Sequence, residues 1–119
     1  GSVKKGARTY VAVDGGMADN IRPTTYGAHY TAVLANRVND KNTAEVAIAG
    51  KYCETGDILI QQVKLPLPRA GDLVAVPVSG AYQLSMASNY NLSPRPAVVV
   101  VADADVTLVR ERETYAELV

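Results

Sequence analysis

The sequence predicts an all-β domain, a Greek-key-like barrel or sandwich with one or two short helices. Three observations predict it. About seven short segments rich in Val, Ile, Thr and Tyr recur at near-regular spacing. Gly, Pro and Asn/Asp turns separate them. The apolar content comes mainly from Val, Ala, Ile and Leu, with seven Tyr and no Phe or Trp, a mixture that favours strands over helices.

The elements follow in order. Residues 9–14 read as a strand stopped by Asp14-Gly15-Gly16. Met17 to Gly27 contains Arg22-Pro23 and few periodic apolar positions, so it reads as a loop with at most one helical turn. A second strand is expected over 29–36, with a polar turn at 39–42. A third spans 43–49, where Ala44, Val46 and Ile48 alternate with Glu45 and Ala47. Residues 57–63 give another strand, followed by a Pro66/Pro68 loop and a turn at Ala70-Gly71-Asp72. Residues 73–78 are strand-like, with Pro77 demoting their end to an edge. Small and helix-compatible residues over 80–89 suit one or two helical turns. The unbroken run Val98 to Val101 predicts a strand buried on both faces. A turn at Asp103-Ala104-Asp105 leads into 106–111, and Glu113 to Leu118 suits a short helix.

At 119 residues the chain fits one domain, able to bury roughly two-thirds of its unfolded surface. Gly1-Ser2 reads as a cloning scar, leaving residues 3–119 as the domain. Acids and bases balance at twelve each, which removes the electrostatic footprint needed for nucleic acid or an anionic membrane. The short basic run Lys4-Lys5 does not change this. No apolar run approaches the roughly 18 residues that span a bilayer, and no secretory signal opens the chain. Cys53 is the sole cysteine, which excludes an internal disulfide and a multi-cysteine zinc site and fits a reducing, cytoplasmic setting. Nothing has metal-ligand spacing.

Three glycine-bounded clusters hold the reactive and charged side chains. They are 14–27 with Met17, Arg22, Pro23 and Tyr26; 50–57, Gly-Lys-Tyr-Cys-Glu-Thr-Gly-Asp; and 80–91, which includes Tyr82. Taken singly each has a plain structural reading. Cys53-Glu54 between glycines is a turn with a tucked-in thiol, Arg22 a solvated loop residue, and Tyr82 a packing residue. His29 reads as structural, Met17 and Met86 as packing, and Asp103, Asp105, Glu111 and Glu113 as a solvated face.

Taken together and in this order, DGGMADNIRPTTYGAHY (14–30), AGKYCETGDIL (49–59) and GAYQLSMASNYNLSPRPA (80–97) resemble the carboxy-terminal signature of diaminopimelate decarboxylases. These belong to the pyridoxal-phosphate enzymes with alanine-racemase-like barrels. The closing RERETYAEL (110–118) also fits, and the resemblance runs from about residue 9 to the end. It implies that Cys53 reaches the pocket of the neighbouring subunit in a homodimer and donates a proton after carbon dioxide leaves. A free thiol has a pKa of about 8.5 and is mostly protonated at neutral pH, so the role is chemically sound. The resemblance further implies that Glu54 binds the ammonium at the non-reacting end of meso-diaminopimelate. Arg22 and Tyr26 would hold the carboxylate at that end, where a guanidinium fork donates two parallel hydrogen bonds. Tyr82 would lie beside both the cofactor phosphate and the substrate.

Related enzymes acting on ornithine or similar diamines typically carry Asp after the Cys, so Glu54 with Arg22 favours diaminopimelate. A decarboxylase of ornithine, arginine or carboxynorspermidine is the alternative enzyme, and a stand-alone β-barrel interaction module the alternative of another class. In the resembled enzymes pyridoxal phosphate sits in an amino-terminal (β/α)₈ barrel, held by a lysine and a glycine-rich phosphate loop. Neither has a counterpart in these residues. The 119 residues alone are therefore expected neither to bind the cofactor tightly nor to decarboxylate. The β-domain of those enzymes also borrows a strand from the extreme amino terminus, so an unpaired edge prone to self-association is expected here.

Overall fold

The computed structural model describes the backbone of residues 1–119 and every side chain except those of Ser2–Lys5, so the basic pair Lys4-Lys5 lies outside the described side chains. Eight strands are present: β1 (Ser2–Lys5), β2 (Arg8–Ala12), β3 (Val33–Leu34), β4 (Thr43–Ala49), β5 (Ile58–Pro66), β6 (Val74–Ala75), β7 (Val98–Ala102) and β8 (Asp105–Arg110). Two short helices, α1 (Arg22–Tyr26) and α2 (Gly80–Met86), and two 3₁₀ turns, Tyr90–Leu92 and Tyr115–Glu117, complete the chain. The architecture is mainly β, as the turn spacing predicts. Its strands form a four-stranded sheet of order β1-β2-β4-β5 and two hairpin-sized sheets, β3-β6 and β7-β8, which remain open.

The four-stranded sheet carries the core. β4 runs parallel to β2 and antiparallel to β5, so it is hydrogen-bonded on both sides. Val11, Ala32, Val46, Ile48, Ile60 and Leu65 pack together beneath it. The alternation expected in β4 is only half right. Val46 and Ile48 point inward as predicted, but Ala47 is also fully buried and Ala44 is exposed. A central strand is covered on both faces in its middle, and a small alanine fits the second face.

Other differences have local causes. The strand expected over 29–36 shrinks to Val33–Leu34, because its only partner is the two-residue β6, and His29 lies exposed outside it. β5 runs on to Pro66, paired with Thr43. Pro lacks an N–H but still accepts through its carbonyl, and a strand end on the sheet's outer edge tolerates it.

The largest correction concerns Val98 to Val101. They do form β7, but β7 pairs only with β8, and nothing among the described residues covers the outer faces of that hairpin. Val100 is 53 % exposed, Val101 66 % and Val106 67 %. An unbroken apolar run signals burial on both faces only when the chain also supplies the covering layers.

Glu113 is not part of a solvated face either. Its carboxylate accepts from the Arg95 backbone N–H (2.8 Å), Arg95 Nε (2.7 Å), Asn89 Nδ2 (2.6 Å) and Arg110 Nη2 (2.7 Å). These donors, the Arg95 backbone N–H foremost, hold its carboxyl down at about 2, against an ordinary value of 4.5. A carboxyl depressed in the folded state contributes stability above its unfolded value and loses it as pH falls toward the folded one. Glu113→Gln is therefore expected to lower the thermal midpoint at pH 7. The gap to the parent should narrow as pH falls below about 4.5, where the unfolded chain's carboxyl protonates, and close near 2, where the folded parent's does. A gap constant with pH, measured by circular dichroism, would contradict this.

Candidate functional site

The sequence brings the three clusters together by backbone and side-chain ties. In the first, Asp19 Oδ2 accepts from Gly16 N (2.9 Å), and Asn20, buried, accepts from Arg22 N (3.3 Å), satisfying an N–H that the first helical turn leaves free. Pro23 then suits the first turn of α1, where its missing N–H costs nothing. Gly27, at φ 63°, ends the helix in the left-handed conformation while its N–H reaches Pro23 O (3.1 Å). This one-turn helix puts Arg22 and Tyr26 four residues apart, on one face. The Arg22 guanidinium lies 5.9 Å from the Tyr26 ring centroid and 4.4 Å from that of Tyr82, which α2 delivers from the third cluster. Arg22 Nε is buried with no hydrogen-bond partner among the described residues. A guanidinium stacked on an aromatic face with an idle donor is suited to an anion.

The second cluster is built around Asp57, only 2 % exposed. Its Oδ1 accepts from Met17 N (2.7 Å) and its Oδ2 from Tyr52 N (2.8 Å), so one carboxylate ties the first cluster to the second. The Asp57 carbonyl accepts from Gly50 N (2.8 Å) and its own N–H donates to Glu54 O (3.0 Å), closing the loop on itself. Lys51 N donates to Gly15 O (3.0 Å), and Thr24 Oγ1 to Gly56 O (2.9 Å). On the other side, Ser88 N donates to Ala18 O (3.0 Å), joining the third cluster to the first.

This loop presents Cys53 exposed and Glu54 half-buried. The bland expectation of a tucked-in thiol is thus not met. Cys53 Sγ donates to Glu54 Oε1 (3.6 Å), and the Tyr90 hydroxyl donates to the same oxygen. The Tyr90 hydrogen bond holds the Glu54 carboxyl below the ordinary range, and the same bond pushes the Tyr90 phenol up to about 12. Glu54 Oε2 is buried with no partner among the described residues. Edge-to-face packing of Tyr52 on Tyr90, 5.4 Å between centroids at 71°, backs the pair.

The five residues singled out from the sequence therefore fall into two groups. Arg22, Tyr26 and Tyr82 form one, Cys53 and Glu54 the other. No ion pair or side-chain hydrogen bond joins Arg22 to Glu54 among the described residues; the groups are linked through Thr24 and Gly56. Asp57 and Tyr90 were not anticipated. The available signals were an acid closing a glycine-bounded loop, and a tyrosine between two asparagines that form tight turns readily.

A model of the family described as pyridoxal-dependent decarboxylase, C-terminal sheet domain, matches residues 2–80. This chain belongs to that family. The diaminopimelate decarboxylase of Synechocystis sp. is 53 % identical over 111 residues, which are 93 % of this chain and 24 % of that protein. The diaminopimelate decarboxylase of Bacillus subtilis is 55 % identical over 114 residues, 96 % of this chain and 26 % of that protein. The structure of diaminopimelate decarboxylase from M. jannaschii in complex with L-lysine superimposes with a TM-score of 0.90 at 37 % identity, covering 99 % of this chain and 27 % of that one. The sheet domain thus spans about a quarter of the length of these relatives. No helix among the described residues is long and apolar enough to cross a membrane, and no cluster of three or more metal-ligating side chains occurs among them.

The family name implies pyridoxal phosphate. Of the residues described, Tyr82 fits it. The residue is 56 % exposed, and no hydrogen bond of its hydroxyl occurs among the described residues, which leaves an O–H donor for a phosphate oxygen. Among the described residues no lysine forms a hydrogen bond or ion pair with Tyr82, Cys53 or Glu54; Lys51 lies with Nζ 5.5 Å from the Tyr52 ring centroid.

Proposed function

We propose that the sheet domain is the carboxy-terminal part of a pyridoxal-phosphate-dependent decarboxylase that converts meso-2,6-diaminopimelate to L-lysine and carbon dioxide. In this reading it completes the pocket of a homodimer whose cofactor sits in an amino-terminal barrel. One observation carries the reading: a guanidinium on α1 and a carboxylate on the 50–57 loop, each with a buried atom unpartnered among the described residues, are tied together through Thr24 and Gly56. The non-reacting end of diaminopimelate carries one carboxylate and one ammonium, the complements of those two groups.

Pyridoxal phosphate, when bound, supplies the electron sink that lets the carbon–carboxylate bond break. This chain's residues do the rest of the work assigned to it. Arg22 receives the distal carboxylate with the help of the Tyr26 hydroxyl, and its stacking on Tyr82 fixes the plane of the fork. Glu54 receives the distal ammonium on Oε2. Cys53, exposed at the tip of its loop, delivers a proton from Sγ to the carbon that has lost carbon dioxide. Tyr82 donates to the cofactor phosphate. The lone thiol supports a reducing compartment, the cytoplasm.

The test is a panel of diamino acids assayed with the complete enzyme. The expected result is a kcat/KM for meso-diaminopimelate exceeding that for ornithine by roughly 10² or more, because ornithine leaves Arg22 unpaired. A preference for ornithine would overturn the assignment.

A further inference from the structure

Tyr90 is held with more care than a packing residue needs. Asn91 and Leu92, immediately after it, both adopt positive φ, 53° and 55°, a conformation unfavourable for leucine. The turn is kept by Leu92 N donating to Asn89 O (2.9 Å) and Ser93 N to Tyr90 O (3.2 Å). Asn89 Nδ2 bonds both Ser93 O (3.1 Å) and Glu113 Oε2 (2.6 Å), so the turn is anchored to the Arg95–Glu113–Arg110 cluster. The outcome of this local strain is a phenol aimed at one oxygen of Glu54.

We infer that Tyr90 is a positioning residue for substrate selection: by occupying Glu54 Oε1 it turns Oε2 toward the distal ammonium. Two acceptors are available on a carboxylate, and a side chain with three rotatable torsions would otherwise present either oxygen to the thiol or to the ligand. The Tyr90 hydroxyl removes that choice, while the Tyr52 ring fixes Tyr90 itself. Cys53 shares Oε1, so the same bond also keeps the thiol and the ammonium-binding oxygen on separate sides of the carboxylate.

The inference rests on the diaminopimelate reading, and the experiment separates the two. In the complete enzyme, kcat/KM is measured for meso-diaminopimelate and for 2-aminopimelate of the same configuration at the reacting carbon, which lacks only the distal amine. The parent should favour diaminopimelate strongly, and Glu54→Ala should abolish most of that preference. Tyr90→Phe keeps the ring against Tyr52 and removes only the hydroxyl. It is expected to erode the preference by about tenfold, through KM for diaminopimelate, with little change for 2-aminopimelate. In the Glu54→Ala background it should add nothing, because its effect runs through that carboxylate. Equal losses for both substrates, or an unchanged preference in Tyr90→Phe while Glu54→Ala collapses it, would overturn the role of Tyr90 alone. A preference that survives Glu54→Ala would overturn the reading of Glu54 and the inference with it.

Discussion

Replacing Cys53 by alanine in the complete enzyme is expected to lower kcat by roughly 10²–10⁴, with KM for diaminopimelate changing only a few-fold. The thiol is proposed to act on the reacting carbon, not on the groups that bind the far end of the substrate, so the loss should sit in turnover. The loop itself should survive the change. Its closure depends on Asp57, Gly50 and Glu54 backbone bonds, none of which uses the Cys53 side chain. Cys53→Ser should recover little, since an alcohol is a far weaker acid than a thiol. Carbon dioxide release measured under saturating substrate checks this. Unchanged turnover in Cys53→Ala would remove the thiol from the reaction.

Gly50→Ala is expected to cost on the order of 2–4 kcal/mol and to disconnect the Cys53 loop from α1. A Cβ at Gly50 would overlap the Asp57 carboxylate, and one at Gly16 would meet the same group at 2.9 Å and the Tyr52 ring at 2.6 Å. The carboxylate cannot yield, because both of its oxygens are engaged by backbone donors on different loops. Asp57→Asn should show a related but smaller loss: an amide retains one acceptor oxygen, leaving either Met17 N or Tyr52 N facing an NH₂ group. For a domain of ordinary stability, about 5–15 kcal/mol, the glycine variant should melt many degrees lower. Thermal unfolding followed by circular dichroism reads this out, and a midpoint within a degree or two of the parent would show that the clamp is not needed.

The parts legible in the sequence were those governed by short-range rules. β4 could be bounded to the residue because turn formers flank it, and α1 and α2 showed in the small and Pro-containing stretches between glycines. The proposed site residues Arg22, Tyr26, Cys53, Glu54 and Tyr82 were singled out through the order of three motifs, not through any periodicity. What could not be read depended on long-range pairing. β3 is short because of β6, forty residues away in the chain, and Ala47 is buried because β4 is central. Tyr90 and Asp57 escaped for the same reason: they act across thirty-six and forty residues of chain, and their flanking asparagines and glycine signal a turn without naming a partner.

The uncovered β7–β8 hairpin limits how far this sheet domain can be treated as self-sufficient. Two strands alone are marginal in water, and here the side chains that would ordinarily be wetted are valines and Leu108. Anyone wishing to handle the domain in isolation for spectroscopy or screening should expect clumping to begin at residues 98–110, well away from the pinned loops. Exchanging Val100, Val101 and Val106 for threonine would keep the β-branched shape, raise solubility, and leave the loops bearing Cys53 and Arg22 undisturbed.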